Sequence, residues 1–192
     1  WMITAGGALF ASFPHVYATL FSGFYMALFL MLAVLIMRGV AFEFRSKSAN
    51  RTWRKVFDYC IFIGSIVPAL LWGVTVGNLI QGTPIDETMT YVGTFWDLLS
   101  PYTVLCGVAF VLVFTYHGGL FTSIKTAGPI SERARAASLV TGVPTAIGVI
   151  ALIIASYVYT DLYSSILATI FCALAVVCFL ISWAAARTRN TK

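Results

Sequence analysis

The chain has 192 residues, 60% of them hydrophobic and only 10% charged, with a formal net charge of +5 and a mean hydropathy of +0.91. Soluble domains carry roughly 25% charged residues, so this composition excludes an ordinary soluble core. The excess of base does not point to nucleic acid, because the twelve Lys and Arg residues fall into three places and leave no basic face interleaved with aromatics.

No Asp, Glu, Lys or Arg occurs in 1–37, 59–85, 98–124, 136–160 or 162–186. A helix rises ~1.5 Å per residue and hydrocarbon is ~30 Å thick, so about 20 apolar residues cross it. A barrel strand would alternate over ~10 residues, whereas Met26 to Met37 is apolar on every side. Lipid also leaves an open strand without backbone partners. The expected fold class is an all-α membrane protein with five transmembrane helices in a single domain, 1–192. Its spans are expected at about 15–38, 58–82, 98–124, 134–158 and 163–186.

In chain order, Gly6, Gly7 and Pro14 disfavour a continuous helix, so a loop or short interfacial helix should precede a first crossing from His15 to Met37. With neither a charged n-region nor Met at position 1, the chain reads as an excerpt rather than a signal peptide. The first connection gathers Arg38, Arg45, Lys47, Arg51, Arg54 and Lys55. Asp58 then opens the second crossing, where it is expected to cap the helix and pair with Arg54 or Lys55. The alternative for Asp58 is a proton-handling or partner-contact role. Gly73 and Gly77 form a small-x-x-x-small face, extended by Gly64, Ser65 and Gly82, that suits helix packing. Pro68 and Pro144 should kink their helices, and Trp72, near mid-span, should pack against a neighbour.

The second and fourth connections hold Asp86, Glu87, Asp97 and Asp161 without Lys or Arg, whereas Lys125, Arg133 and Arg135 mark the third and Arg187, Arg189 and Lys192 the tail. The positive-inside rule then places the first, third and final segments in the cytoplasm and the start of the chain outside. The aromatic belt should comprise Trp53 and Trp183 inside, with Tyr91, Phe95, Trp96, Tyr102, Tyr157, Tyr159 and Tyr163 outside.

Chemistry-bearing residues are few. Cys60, Cys106, Cys172 and Cys178 lie in spans without a C-x-x-C pair and read as buried small hydrophobes, with neither a structural disulfide nor a metal site implied. His15 begins its crossing at the outer face, while His117 follows an outer start by ~19 residues and lies ~28 Å deeper. One heme iron could not take both. His117, beside Gly118 and Gly119, reads first as a histidine hydrogen-bonded across a helix interface and second as a cofactor neighbour or proton relay. The chain has no phosphate loop, nucleophile elbow, H-E-x-x-H or carboxylate pair at helical spacing. No catalytic residue, cofactor-binding residue or metal ligand is expected in it.

One ordered set of motifs is specific. It runs W-M-I-T-A-G-G-A-L-F from Trp1 to Phe10, F-E-F-R-S-K from Phe42 to Lys47, W-R at Trp53 and Arg54, and D-Y-C-I-F-I-G-S-I-V-P from Asp58 to Pro68. G-N-L-I-Q-G-T-P from Gly77 to Pro84, Y-x-G-T-F-W from Tyr91 to Trp96 and H-G-G-x-x-x-x-x-K-T-x-G from His117 to Gly128 complete it. In order and spacing the set resembles subunit II of the cytochrome bd-type quinol oxidases, over roughly residues 1–135.

The resemblance implies a heterodimeric respiratory oxidase of the prokaryotic plasma membrane that oxidises quinol, reduces dioxygen to water and draws its protons from the cytoplasm. Hemes b and d and the quinol-oxidising loop would belong to the partner, subunit I, with bound quinone also possible in the complex. Subunit II would be the structural counterpart, two four-helix bundles with an additional helix, of which this chain carries helices two to six. Phe42, Glu43, Phe44, Arg45, Trp53 and Arg54 match the family's cytoplasmic loop, and Asp58 matches the acidic residue opening the next helix. The acidic residues proposed for the family's proton path lie before Trp1, so no path is assigned. The turn from Tyr157 to Tyr163 is shorter than in some members. Lacking its first helix and its C-terminal part, such a fragment should depend on a partner to cover its small-residue faces. The rival reading is a fragment of a secondary transporter, whose broken helices also carry Gly and Pro. These spans lack the charged midplane groups a transporter uses.

Overall fold

The computed structural model describes residues 2–88 and 90–188, with residues 2, 3 and 5 described by backbone alone. Trp1 of the first motif and Arg189 and Lys192 of the basic tail lie outside the described residues.

All regular structure among the described residues is helical apart from one isolated bridge between Ile85 and Tyr91. The helices are α1 (Met2–Ser12), α2 (Pro14–Gly23), α3 (Tyr25–Phe44), α4 (Arg51–Gln81), α5 (Pro101–Lys125), α6 (Pro129–Tyr159) and α7 (Ile166–Thr188), with single 3-10 turns at Trp96–Leu98 and Leu162–Ser164. From α3 to α7, all five are long and apolar enough to cross a bilayer. This is an all-α, multi-pass membrane protein.

The stretch 15–38 is divided between α2 and α3, which meet at Phe24, and α3 runs on to Phe44. The Gly-rich run before Pro14 forms helix α1. Pro68 and Pro144 sit inside α4 and α6, which continue past them.

Polar side chains within these helices turn back onto their own backbone. Thr75 donates to the Leu71 carbonyl at 2.8 Å, Thr115 to Val111 at 2.7 Å and Ser138 to Ala134 at 2.8 Å. Hydrocarbon offers a hydroxyl no other partner, so the i−4 carbonyl accepts it.

The chain divides into two units, Trp1–Val104 and Leu105–Lys192. In the first, α3 and α4 pack as a hairpin around Ala27, Met31 and Leu71, with Val67 and Phe95 against them. Such apolar burial contributes about 1.5–3 kcal/mol per side chain in water. Between helices in lipid that contribution largely vanishes, and close packing and hydrogen bonds decide instead. Gly64 supplies the close packing, because a Cβ there would lie 2.6 Å from the Arg38 Cβ and 2.8 Å from the Val34 carbonyl oxygen.

In the second unit the close approaches come from α6. Gly142 faces the Trp183 indole and the Tyr116 ring, and Gly119 of α5 faces Ser138. Thr145 donates to the Leu112 carbonyl at 3.2 Å as well as to Thr141 at 2.7 Å. Tyr116 and Ser182 join α5 to α7 through their hydroxyls at 2.9 Å. The Trp183 Nε1 is buried without a hydrogen-bond partner. That costs about 1–3 kcal/mol, set against the packing of the ring into the space a side chain at 142 would need.

Three expectations are corrected. Tyr102, expected in the outer belt, is buried at 2% exposure; it is drawn in beside Thr103, whose hydroxyl is committed to the Leu98 carbonyl. Trp72, expected to pack against a neighbour, is half exposed, since α4 turns its small residues Gly73 and Gly77 inward instead. Of the cysteines expected to be buried, only Cys106 is fully so, while Cys178 is exposed on α7.

Candidate functional site

The motifs between Phe42 and Trp96 converge on the two ends of the α3–α4 hairpin. At the basic end, α4 starts because the Asn50 side chain accepts from the Thr52 backbone N–H at 2.9 Å. Satisfying one of the orphan amides of a first turn is what an N-cap does. Asp58 therefore does not cap the helix. It lies two turns in, and its partner is Arg45, not Arg54 or Lys55: the Arg45 Nε donates to Oδ1 at 2.5 Å. The short connection 45–50 folds Arg45 back beside α4, a geometry that closeness in sequence does not reveal.

The rest of the motif ties the same corner. Trp53 donates its indole N–H to the Phe44 carbonyl at 3.0 Å, and Arg54 donates to the Ser48 carbonyl at 3.2 Å. Glu43 pairs with Lys47 one turn on at 3.6 Å, and Arg38 lies over the Phe42 ring at 5.5 Å. Phe42 and Glu43 contact only their own helix and its end, whereas Trp53, Arg54 and the Arg45–Asp58 pair tie the start of α4 to the end of α3 and the connection after it. Both members of that pair are about half exposed, so solvent screens it and it serves geometry more than stability. The neighbouring carboxylate raises the Arg45 pKa further through its hydrogen bond and its charge.

The opposite end is tied by polar residues that sequence reasoning missed. Asn78, 5% exposed, donates from Nδ2 to the Leu98 carbonyl at 2.8 Å and to Val74 at 2.9 Å. Thr103 donates to the same Leu98 oxygen at 2.7 Å, and Ser100 to Gln81 Oε1 at 2.9 Å. The α4 helix stops at Gly82, whose φ of 90° suits glycine. In the loop that follows, Asp97 Oδ2 accepts from the Thr94 N–H at 2.6 Å and its hydroxyl at 2.9 Å. Those two bonds hold the Asp97 pKa below the ordinary carboxylate value. The Tyr91 hydroxyl donates to the Thr94 carbonyl at 3.0 Å, and its ring covers Gly23, where a Cβ would lie 2.9 Å from Cγ. Burial, and then the Asp97 charge, raise the Tyr91 pKa.

The available signal was the motif itself: G-N-L-I-Q-G-T-P supplies Asn78, Gln81 and Gly82, and Y-x-G-T-F-W supplies Tyr91 and Thr94. In α6, the spacing of Ser138, Gly142, Thr145 and Gly148 was the overlooked small-residue face.

The remaining candidates are not brought together. His15 and His117 are exposed on α2 and α5, in different units. Among the described residues no group of three or more His, Cys, Asp or Glu is placed to hold a metal ion. Each imidazole lies on a helix surface, so neither histidine is enclosed as a heme ligand among the described residues.

The profile of the cytochrome bd terminal oxidase subunit II family matches residues 1–192. The chain belongs to that family. A "Probable cytochrome oxidase subunit 2" of Haemophilus influenzae is 46% identical over 151 residues, covering 77% of this chain and 40% of the relative. The "Cytochrome bd-I ubiquinol oxidase subunit 2" of Escherichia coli K12 is 46% identical over 149 residues, covering 76% and 39%. The "Cytochrome bd ubiquinol oxidase subunit 2" of Bacillus subtilis is 41% identical over 135 residues, covering 70% and 40%. The chain therefore spans about two fifths of the length of the curated relatives it matches. The transporter reading has no support in these similarities. Within the cytochrome bd subunit II family, the motifs between Phe42 and Trp96 have a physical meaning here: they supply hydrogen bonds that close both ends of one helical hairpin.

Proposed function

We propose that the whole protein is the accessory subunit of a quinol:dioxygen oxidoreductase in a bacterial plasma membrane. It supports a heme-bearing subunit I, which holds hemes b and d and carries out quinol oxidation and reduction of dioxygen to water. The observation that carries this reading is the 46% identity to a ubiquinol oxidase subunit 2 across 76% of the chain. The clasped α3–α4 hairpin supports it, because a rigid pair of helices suits a protein–protein contact in lipid, where packing rather than hydrophobicity holds subunits together.

In this reading the basic segments 38–55, 125–135 and 187–192 face the cytoplasm. Gly73 and Gly77 serve helix packing, and Phe42 to Arg45, Trp53 and Arg54 shape the cytoplasmic corner. Asp58 and His117 act at the subunit interface, with proton handling as the second possibility for each.

The test is purification of the tagged full-length protein from native membranes. A heme-bearing subunit and quinol-dependent oxygen uptake should accompany it, and a preparation without either contradicts the assignment. The Asp58→Asn variant should lower the yield of assembled complex more than the turnover per heme. Normal yield with lost turnover would move Asp58 to the proton-handling role.

A further inference from the structure

The α3–α4 hairpin carries one charge inside its span that its own residues leave without a counter-ion. Arg38 follows the charge-free stretch 1–37 and stands beside Gly64, where a Cβ would lie 2.6 Å from the Arg38 Cβ and 3.4 Å from its Cγ. Arg45, further along α3, meets Asp58, which precedes Gly64 on α4. At ~1.5 Å per residue, the Arg38 backbone therefore lies ~9 Å deeper in the hairpin than the ion pair at its corner. Its Nε is buried without a hydrogen-bond partner. The Phe42 ring covers one face of the guanidinium, 5.5 Å from Cζ to the centroid, and a ring on that face leaves the N–H edge of the fork unused. Arg38 as a whole is only half-buried, so the Nη end stays open at the hairpin surface. Among the described residues the nearby carboxylates are committed elsewhere, Asp58 to Arg45 and Glu43 to Lys47.

We propose that Arg38 is a carboxylate-binding site within the membrane, filled by an Asp or Glu of another transmembrane helix packed against the hairpin. A guanidinium within hydrocarbon is costly unless it is paired, and its two Nη donors match the two oxygens of a carboxylate. A lipid phosphate is the weaker fit. Snorkelling normally carries an Arg head out to the interface. Here the stem is wedged against Gly64 and Nε is enclosed, so the head leans one turn, over Phe42, and stops short of the Arg45–Asp58 level. Headgroups at that outer level already have the exposed Lys47 and Arg51 to meet. The chain spans about two fifths of the length of its relatives, so the acid comes from a partner subunit or from the full-length protein's own further helices. The chemistry is the same for both, and the site does not depend on the oxidase reading.

The test compares Arg38→Gln and Arg38→Lys in the full-length protein within its native membrane assembly. Arg38→Gln should lower the yield of assembled protein about tenfold, the scale of one charge-assisted contact, while Arg38→Lys, which keeps the charge, retains most of it. Dicyclohexylcarbodiimide, an apolar reagent, should then condense the new amine of Arg38→Lys with the carboxylate held against it, forming an amide as the carbodiimide takes up the water and becomes the urea. Peptide mass spectrometry names the acid. A link to a second polypeptide identifies a partner subunit, a link within the protein identifies one of its own helices, and either supports the site. An Arg38→Lys protein that does not assemble or that yields no such link would overturn the proposal, as would an Arg38→Gln protein assembled like wild type. Loss of a bound phospholipid from Arg38→Gln, seen by native mass spectrometry at unchanged assembly, would overturn it in favour of a headgroup phosphate. The cross-link decides even if Arg38→Gln fails to fold.

Discussion

The side-chain amide of Asn78 and the hydroxyl of Thr103 donate to one acceptor, the Leu98 carbonyl, at 2.8 and 2.7 Å. Helix α4 and the start of α5 are thereby tied to a single peptide group in the intervening loop. In hydrocarbon or at its edge, a carbonyl with both donors removed would face no water.

Removal of either donor should cost about 1–2 kcal/mol, because the other still satisfies the oxygen. The Asn78→Leu, Thr103→Val double variant should lose more than the sum, since the Leu98 carbonyl is then left without a side-chain donor. Denaturant unfolding in mixed micelles measures the difference. Strict additivity would show that the two bonds do not share a burden.

Glycine positions separate into tight and open ones. Gly64→Ala brings a methyl against the Val34 carbonyl and the Arg38 Cβ, and Gly142→Ala against the Trp183 indole at 2.8 Å; each should destabilise by about 1–3 kcal/mol. Gly118→Ala meets nothing within 4 Å and should be neutral or stabilising by up to ~1 kcal/mol, because alanine is the better helix former. Melting temperatures of the three variants check the order.

The Asp97 loop should loosen in acid. Its folded pKa is depressed by the two bonds from Thr94, so its contribution is present above the ordinary carboxylate pKa and is lost as pH falls through the lower folded value. Amide exchange at Thr94 should therefore show more opening, after correction for intrinsic rates, as pH drops below the usual carboxylate range. In Asp97→Asn the opening should be greater at neutral pH and insensitive to acid. Equal acid sensitivity in both proteins would assign the effect elsewhere.

Orientation has a direct readout. Arg51 and Arg133 are both exposed at helix starts. If the basic segments share the cytoplasm, Arg51→Cys and Arg133→Cys should resist a membrane-impermeant maleimide in intact spheroplasts and react once the cells are broken. Labelling of one and not the other before lysis would break the topology.

Spans were legible in the sequence because they need only composition: a charge inside hydrocarbon is costly, so its absence over twenty residues carries the message by itself. Contacts were less legible. Asp58 was read with Arg54 and Lys55 because they are near in sequence, whereas the turn at 45–50 delivers Arg45. Asn78 gave no local sign of a partner twenty residues away. Tyr102 carries the chemistry of a belt residue, yet the hydrogen bonds around Leu98 draw its part of the chain inward. In α6, Ser138 and Thr145 behave as small residues because their hydroxyls turn back onto their own helix, that of Thr145 also reaching the Leu112 carbonyl of α5, which hides the packing face behind polar letters.

The most direct test of the account is the visible spectrum of the full-length protein purified free of any partner, beside that of the native complex. The account predicts a strong Soret band from the complex and none from the separated protein, because it assigns the hemes to the partner subunit. A heme spectrum from the separated protein would contradict it.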